Sequence, residues 1–223
     1  MSIIAILAIV LLRYVNIPFL AYNESKIQLE VANELSQTIH LMKRELKESL
    51  PNSIRVTTVG SKKYVEFIKI KNLGKYRVNA TGTGTGDILT FNTADTSFDV
   101  LSGPIIFSTG DKIVIENIGF TGFDVYQNNN VSNYNGTLGT PVSNIVIQSK
   151  LFPIQSRQEK FYVINNPTTY VCDTATKTIK KYEGYSITST QPNNESAVPL
   201  SSLTPGIIGE NISACDISYI AGN

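Results

Sequence analysis

TGTGTGD, at 81–87, is the stretch most like a phosphate-cradling loop. A P-loop needs four residues between its glycines and then Lys-Ser/Thr, and a dinucleotide loop needs GxGxxG opening a helix. Alternating glycines ahead of the strand-like ILTF satisfy neither and predict a hairpin or loop. His40 is the one histidine, a single residue beyond the apolar stripe of a predicted helix. Without a second histidine, a histidine triad or zinc site has little to build on. His40 reads as a surface or helix-packing residue. Asp95, Asp99 and Asp111 could serve calcium from loops, but no EF-hand spacing exists, so they read as solvated carboxylates. Tyr162, Tyr170, Tyr182 and Tyr185 surround Cys172 in sequence and could form an aromatic ligand face. Core and disulfide packing is the expectation for them. Asn79, Asn135 and Asn194 open glycosylation-type triplets that read as incidental. No nucleophile, base and orienter can be placed together, so the chain is not expected to be an enzyme, and no cofactor or metal is expected.

Composition narrows the remaining classes. The 223 residues carry 19 basic and 18 acidic side chains, a balance with no strong field for nucleic acid. Charged residues make up 17%, while Asn, Thr and Ser are plentiful, which suits a secreted or surface β-protein. The two cysteines, Cys172 and Cys215, are an isolated pair. In an extracytoplasmic chain such a pair reads as one disulfide. Closing that loop would stabilise by ~4 kcal/mol in the chain-entropy model.

The N-terminus must position everything else. Ile3, Ile4, Ile6, Leu7, Ile9, Val10, Leu11 and Leu12 belong to an almost unbroken apolar run that Arg13 interrupts. A bilayer span needs ~20 apolar residues, so the run reads as the remainder of a longer span. Past Pro18 the pattern becomes amphipathic. Ile27, Val31, Leu35, Ile39, Met42, Leu46 and Leu50 follow one another at steps of four or three, which is one stripe on a helix. Glu24, Glu30 and Glu34 lie in its first half and Lys43, Arg44 and Lys47 near its end, as the helix dipole favours. Arg44 and Glu48 are spaced for an i,i+4 pair. Pro51 ends the helix, and Pro18 is expected to kink it. Residues 1–50 would then make a helix ~75 Å long.

From Ser53 onwards the reading is β. IRVTTV, YVEFIKI, ILTFNT, PIIFST, KIVIEN, NIVIQS, KFYVIN, TYVCD, TIKKYEGYSI and CDISYI are strand-like runs between turn residues. Segments 81–87, 127–140 and 189–206 read as surface loops.

A truncated apolar helix, an amphipathic continuation and a β-domain resemble the type IV pilin-like class. RELKESLPNSIRV (44–56), VEFIKI (65–70), KYR (75–77), EKFYVINNPTTYVCDTATKTIKKYEGYSI (159–187) and CDISY (215–219) resemble minor pilins of the mannose-sensitive haemagglutinin (MSHA) type IV pilus system. The resemblance implies an α+β fold with a long N-terminal helix packed on an antiparallel sheet. It divides the chain into an N-terminal helix, 1–50, and a periplasmic or extracellular β-rich domain, 51–223. Within the helix, residues 1–22 would serve the membrane and assembly, and residues 23–50 form the amphipathic stretch. The resemblance also implies assembly rather than turnover. The expected partners are other major and minor pilins, the inner-membrane assembly machinery, and the membrane through the N-terminal helix. The family's basic leader, cleavage site and Gly-Phe-Thr-Leu-Ile-Glu start do not occur, so Met1 would fall inside the membrane helix. In the family further strands follow the position of Cys215, so a C-terminally truncated domain with an incomplete sheet and an exposed edge is expected. Two other readings stand beside this one. A minor pseudopilin of a type II secretion system would share the architecture. An adhesin or carbohydrate-binding module would use loops 81–140.

Overall fold

The computed structural model describes residues 2–82 and 84–219, and for residues 2–21, 23 and 24 the backbone alone. Its one α-helix, α1, spans Ser2–Lys47 and runs on through Pro18. The expected packing roles of Ile3 to Leu12 lie outside the described side chains. Among the described residues no helix is long and apolar enough to cross a membrane.

The end of α1 is fixed by several devices acting together. Arg44 and Lys47 occupy its last turn, where cations complement the dipole. The Ser49 hydroxyl donates to the Leu46 carbonyl at 2.7 Å, satisfying one orphan acceptor of the helix end. The chain then bridges at once to the sheet. Leu50 N donates to Ile68 O at 2.8 Å, and Ile70 N donates to Glu48 O at 2.9 Å. Glu48 is therefore sheet-bound, past the last helical residue, and the expected Arg44–Glu48 pair does not form. The i,i+4 pair that does occur is Lys26–Glu30, at 3.8 Å.

Eleven strands follow: β1 (Arg55–Val59), β2 (Lys62–Lys75), β3 (Asp95–Asp99), β4 (Ile105–Ile106), β5 (Lys112–Ile115), β6 (Val131–Asn133), β7 (Pro141–Val142), β8 (Asn144–Lys150), β9 (Lys160–Asp173), β10 (Thr178–Glu183) and β11 (Gly206–Gly209). The main sheet has seven strands, all antiparallel, in the order β1-β2-β9-β10-β11, with β5 also on β9 and β6 on β5. The α+β class and the antiparallel sheet of the sequence reading are both present.

The two long strands β2 and β9 pair along their whole length and carry the fold. The predicted runs KFYVIN and TYVCD are one strand, passing through Pro167. A proline inside a strand lacks a ladder donor. β9 tolerates it because β5 pairs with 161–164 and β10 with 168–173, which leaves 165–167 without a neighbour on that side. Other readings shift. ILTFNT is not a strand: Leu89 N bonds Arg77 O and Thr90 N bonds Asp95 Oδ2, so its backbone is satisfied as a loop while Leu89 is buried. The segment 127–140 holds β6, and the loop expected at 189–206 runs directly into β11, which no strand-like run marked. CDISYI forms no strand within 215–219.

Alternation of side chains splits the sheet into two faces. On the helix side, Val65, Phe67, Tyr170, Cys172 and Ile179 meet Met42 and Leu46 of α1. On the other side, Tyr64, Val171 and Tyr182 meet Tyr185 and Leu200 of the 185–203 segment. The four tyrosines therefore do not cluster round Cys172. Tyr170 shares its face, Tyr182 and Tyr185 lie behind it, and Tyr162 sits near the far end of β9. A third core, including Tyr76, Phe98, Phe107, Phe152 and Phe161, fills the lobe built on β3, β4, β7 and β8.

Candidate assembly face

Helix α1 meets the sheet along a row that differs from its apolar stripe. Among the described side chains of the helix, the buried ones are Thr38, Met42 and Glu45. With 3.6 residues per turn, that row lies about 70° round the helix from Leu35, Ile39 and Leu46. The stripe is thus only partly used by the chain's own sheet. Met42 is buried, Leu46 is half-buried and Leu50 is fully buried. Val31 is half-buried. Ile27 is 60% exposed and Ile39 52%, and Leu35 is exposed as well. His40 is exposed on the opposite side.

Glu45 locks the buried row. Its carboxylate accepts from Lys181 Nζ at 2.9 Å, from Lys69 Nζ at 3.3 Å and from the Tyr170 hydroxyl. Burial alone would raise this carboxyl. The hydrogen bonds from Tyr170 and Lys181 and the two lysine charges outweigh burial and hold it below its ordinary value. Tyr170, buried and bonded to a carboxylate, is pushed up. Higher on the helix, the Thr38 hydroxyl bonds Ile208 O, and Glu34 Oε1 accepts from Glu210 N at 3.2 Å. The outer edge of β11 is therefore met by the helix at Ile208. Gly209 makes this approach possible, because a Cβ there would lie 3.2 Å from Thr38.

After Glu210 the chain runs unpaired along the helix-side face. Ile212 N bonds Lys177 O at 3.0 Å, and Lys63 Nζ holds Asp216 at 2.9 Å. A disulfide joins Cys215 to Cys172, with Cα atoms 6.4 Å apart, inside the usual range. Between this segment and α1 lies a groove of about 490 Å³. Leu35, Ile39, Met42 and Leu46 form one wall, Ile212 and Ile217 the other, and Ile179 also lines it. Lys43 and Lys47 rim it. The apolar stripe and the groove are continuous, because Leu35 and Ile39 belong to both.

The residues weighed for chemistry are scattered. Asp95 binds Thr90, Asp99 binds Arg77 and Asn144, and Asp111 binds Lys71 and Asn165. Among the described residues no three His, Cys, Asp or Glu side chains form a group that could hold a metal. In the glycine-rich segment, Thr81 N and the Thr81 hydroxyl both donate to Thr85 O at 2.8 Å. Sequence reasoning missed Glu45 and Thr38, whose types on an amphipathic helix suggest a solvated face. Their offset from the stripe was the available cue. No protein-family model, curated protein or solved structure matches the chain.

Proposed function

We propose that the chain is a structural subunit of a type IV pilus-like filament, of the MshO-like minor pilin kind, whose work is assembly and not turnover. The observation that carries this is the half-used helix. The lower end of the stripe is spent on the chain's own sheet, while Ile27, Leu35 and Ile39 remain exposed on the same helix. A helix of this length with an unburied apolar stripe is suited to a neighbour that presents a similar helix. The charges fit such a neighbour. Glu30 and Glu34 precede Lys43, Arg44 and Lys47, and these three cations make no ion pair among the described residues. A parallel second helix shifted by ~20 Å would set its acidic half against this basic half. Such a head-to-tail contact repeats into a filament rather than closing as a dimer. The N-terminal apolar run would join the same bundle and hold the subunit in the inner membrane before assembly, with the β-domain in the periplasm.

Deleting the gene in its native cell and counting surface filaments by electron microscopy tests this reading. Fewer or shorter filaments are expected, with recovery when the gene is returned. An unchanged filament count in the deletion strain contradicts it.

A further inference from the structure

A second site lies away from the helix, where the loop after α1, the end of β5 and the start of β9 meet. Its cleft holds about 290 Å³ and is lined by Asn52, Glu116, Arg157, Gln158, Lys160 and Tyr162, among others. That volume is at the lower end of ligand pockets, ~300–1,000 Å³, and suits one small ring.

Pairing sets this cleft apart. Among the described side chains that are buried or half-buried, every Lys, Arg, Asp and Glu has a hydrogen bond or ion pair within the chain except Glu116, Glu159 and Lys160. Glu116 and Lys160 line the cleft, and Glu159 lies beside Lys160 in the chain. Arg157 and Gln158, exposed at its mouth, make no side-chain bond to the described residues either, and neither does the Tyr162 hydroxyl. A half-buried charge loses hydration without compensation unless something else meets it.

The frame around these groups is rigid. Asn52, Glu116 and Glu159 have φ of 57°, 44° and 59°, a left-handed conformation that non-glycine residues adopt rarely and that often marks functional sites. Asn52 Nδ2 donates to Asn117 O at 3.0 Å, and Asn117 Nδ2 donates to Pro51 O at 2.7 Å, which ties the two loops together. Asn117 Oδ1 accepts from Val125 N at 2.9 Å. Asn130, fully buried, bonds Glu116 O at 3.0 Å and keeps an unpaired Oδ1. Gly119 completes the frame, since a Cβ there would stand 3.0 Å from Asn52. Tyr162 is pushed up by burial and then by the Glu116 carboxylate.

We infer that this cleft binds one hydroxyl-rich sugar ring of an oligosaccharide. Sugar hydroxyls both donate and accept, so they meet a carboxylate, an amide, an ammonium and a guanidinium in one pocket. Tyr162 offers an aromatic ring to the apolar face of a pyranose. A simple anion would be opposed by Glu116. The site is distinct from the helix and does not depend on the assembly reading.

The test is a printed array of neutral and acidic oligosaccharides probed with the full chain in detergent, followed by titration of the strongest glycan. Arg157→Ala, Gln158→Ala and Glu116→Gln should each weaken binding about tenfold, as expected for lost charge-assisted or paired hydrogen bonds, while far-ultraviolet circular dichroism stays unchanged. Two of these side chains are exposed and none has a partner among the described residues, so folding is not at stake. No glycan bound above background, equal binding by all three variants, or binding of inorganic phosphate or free amino acids alone would each overturn the inference.

Discussion

Glu45 and Glu66 are buried on opposite faces of the same sheet, and their surroundings differ in kind. Glu66 is fully buried and meets one cation, Arg55, whose Nε lies 2.8 Å away, with the Tyr185 hydroxyl at 2.9 Å. Burial is the larger influence there and pushes the carboxyl up, against Arg55. Arg55 is itself held by the Tyr126 ring, 3.5 Å from the ring centroid, and by Ser189 O at 2.7 Å. Glu45 is held by two lysines that reach solvent, and it stays below its ordinary value. Glu66 sits in a sealed pocket. The Glu45 face is an attachment, polar and hydrated at its rim, that fixes how the helix is rotated. That rotation leaves Leu35 and Ile39 outside.

The sharpest way to break this contrast is to remove the cation on one side and the carboxylate on the other. Arg55→Ala strands a buried carboxylate and should cost ~3–5 kcal/mol in urea unfolding. Glu45→Gln leaves two lysines that water can solvate and one hydroxyl in need of a partner, so ~1–2 kcal/mol is expected. Equal losses would mean that the two faces are equivalent.

Acid should separate the lowered carboxyls from the raised one more gently. Glu195 is also pulled down, to about 2: burial would raise it, but bonds from Lys180, Lys62 and Tyr182 prevail. A carboxyl lowered on folding contributes stability above its unfolded value, near 4.5, that is lost as pH falls through the folded value. A raised carboxyl such as Glu66 does the reverse, favouring the fold at low pH and losing that contribution as pH rises through its folded value. Thermal melts between pH 4.5 and 2 should therefore drop in the wild type and drop less in Glu195→Gln. A parallel decline in both would remove Glu195 from the explanation.

Much of this frame can be read from residues alone. The four-and-three spacing from Ile27 to Leu50 marks α1, and β-branched runs mark β2, β5 and β8. What stays hidden depends on partners distant in sequence. The tyrosines of 162–185 divide between faces only once the β2–β9 register is known. ILTFNT is apolar because Leu89 enters a core, although its backbone bonds elsewhere. β11 is four residues with a glycine at each end, too short for a pattern. The cleft joins Asn52, Glu116 and Tyr162 from three separate segments.

The central claim is that the exposed stripe, and not the opposite side of α1, meets another subunit. Photo-crosslinking in the native cell tests it directly, with p-benzoylphenylalanine placed singly at Leu35, Ile39, Gln37 or His40. Adducts with other pilin-like subunits at Leu35 and Ile39, and none at Gln37 or His40, are the expected result. Adducts at all four positions alike, or at none, would contradict the claim.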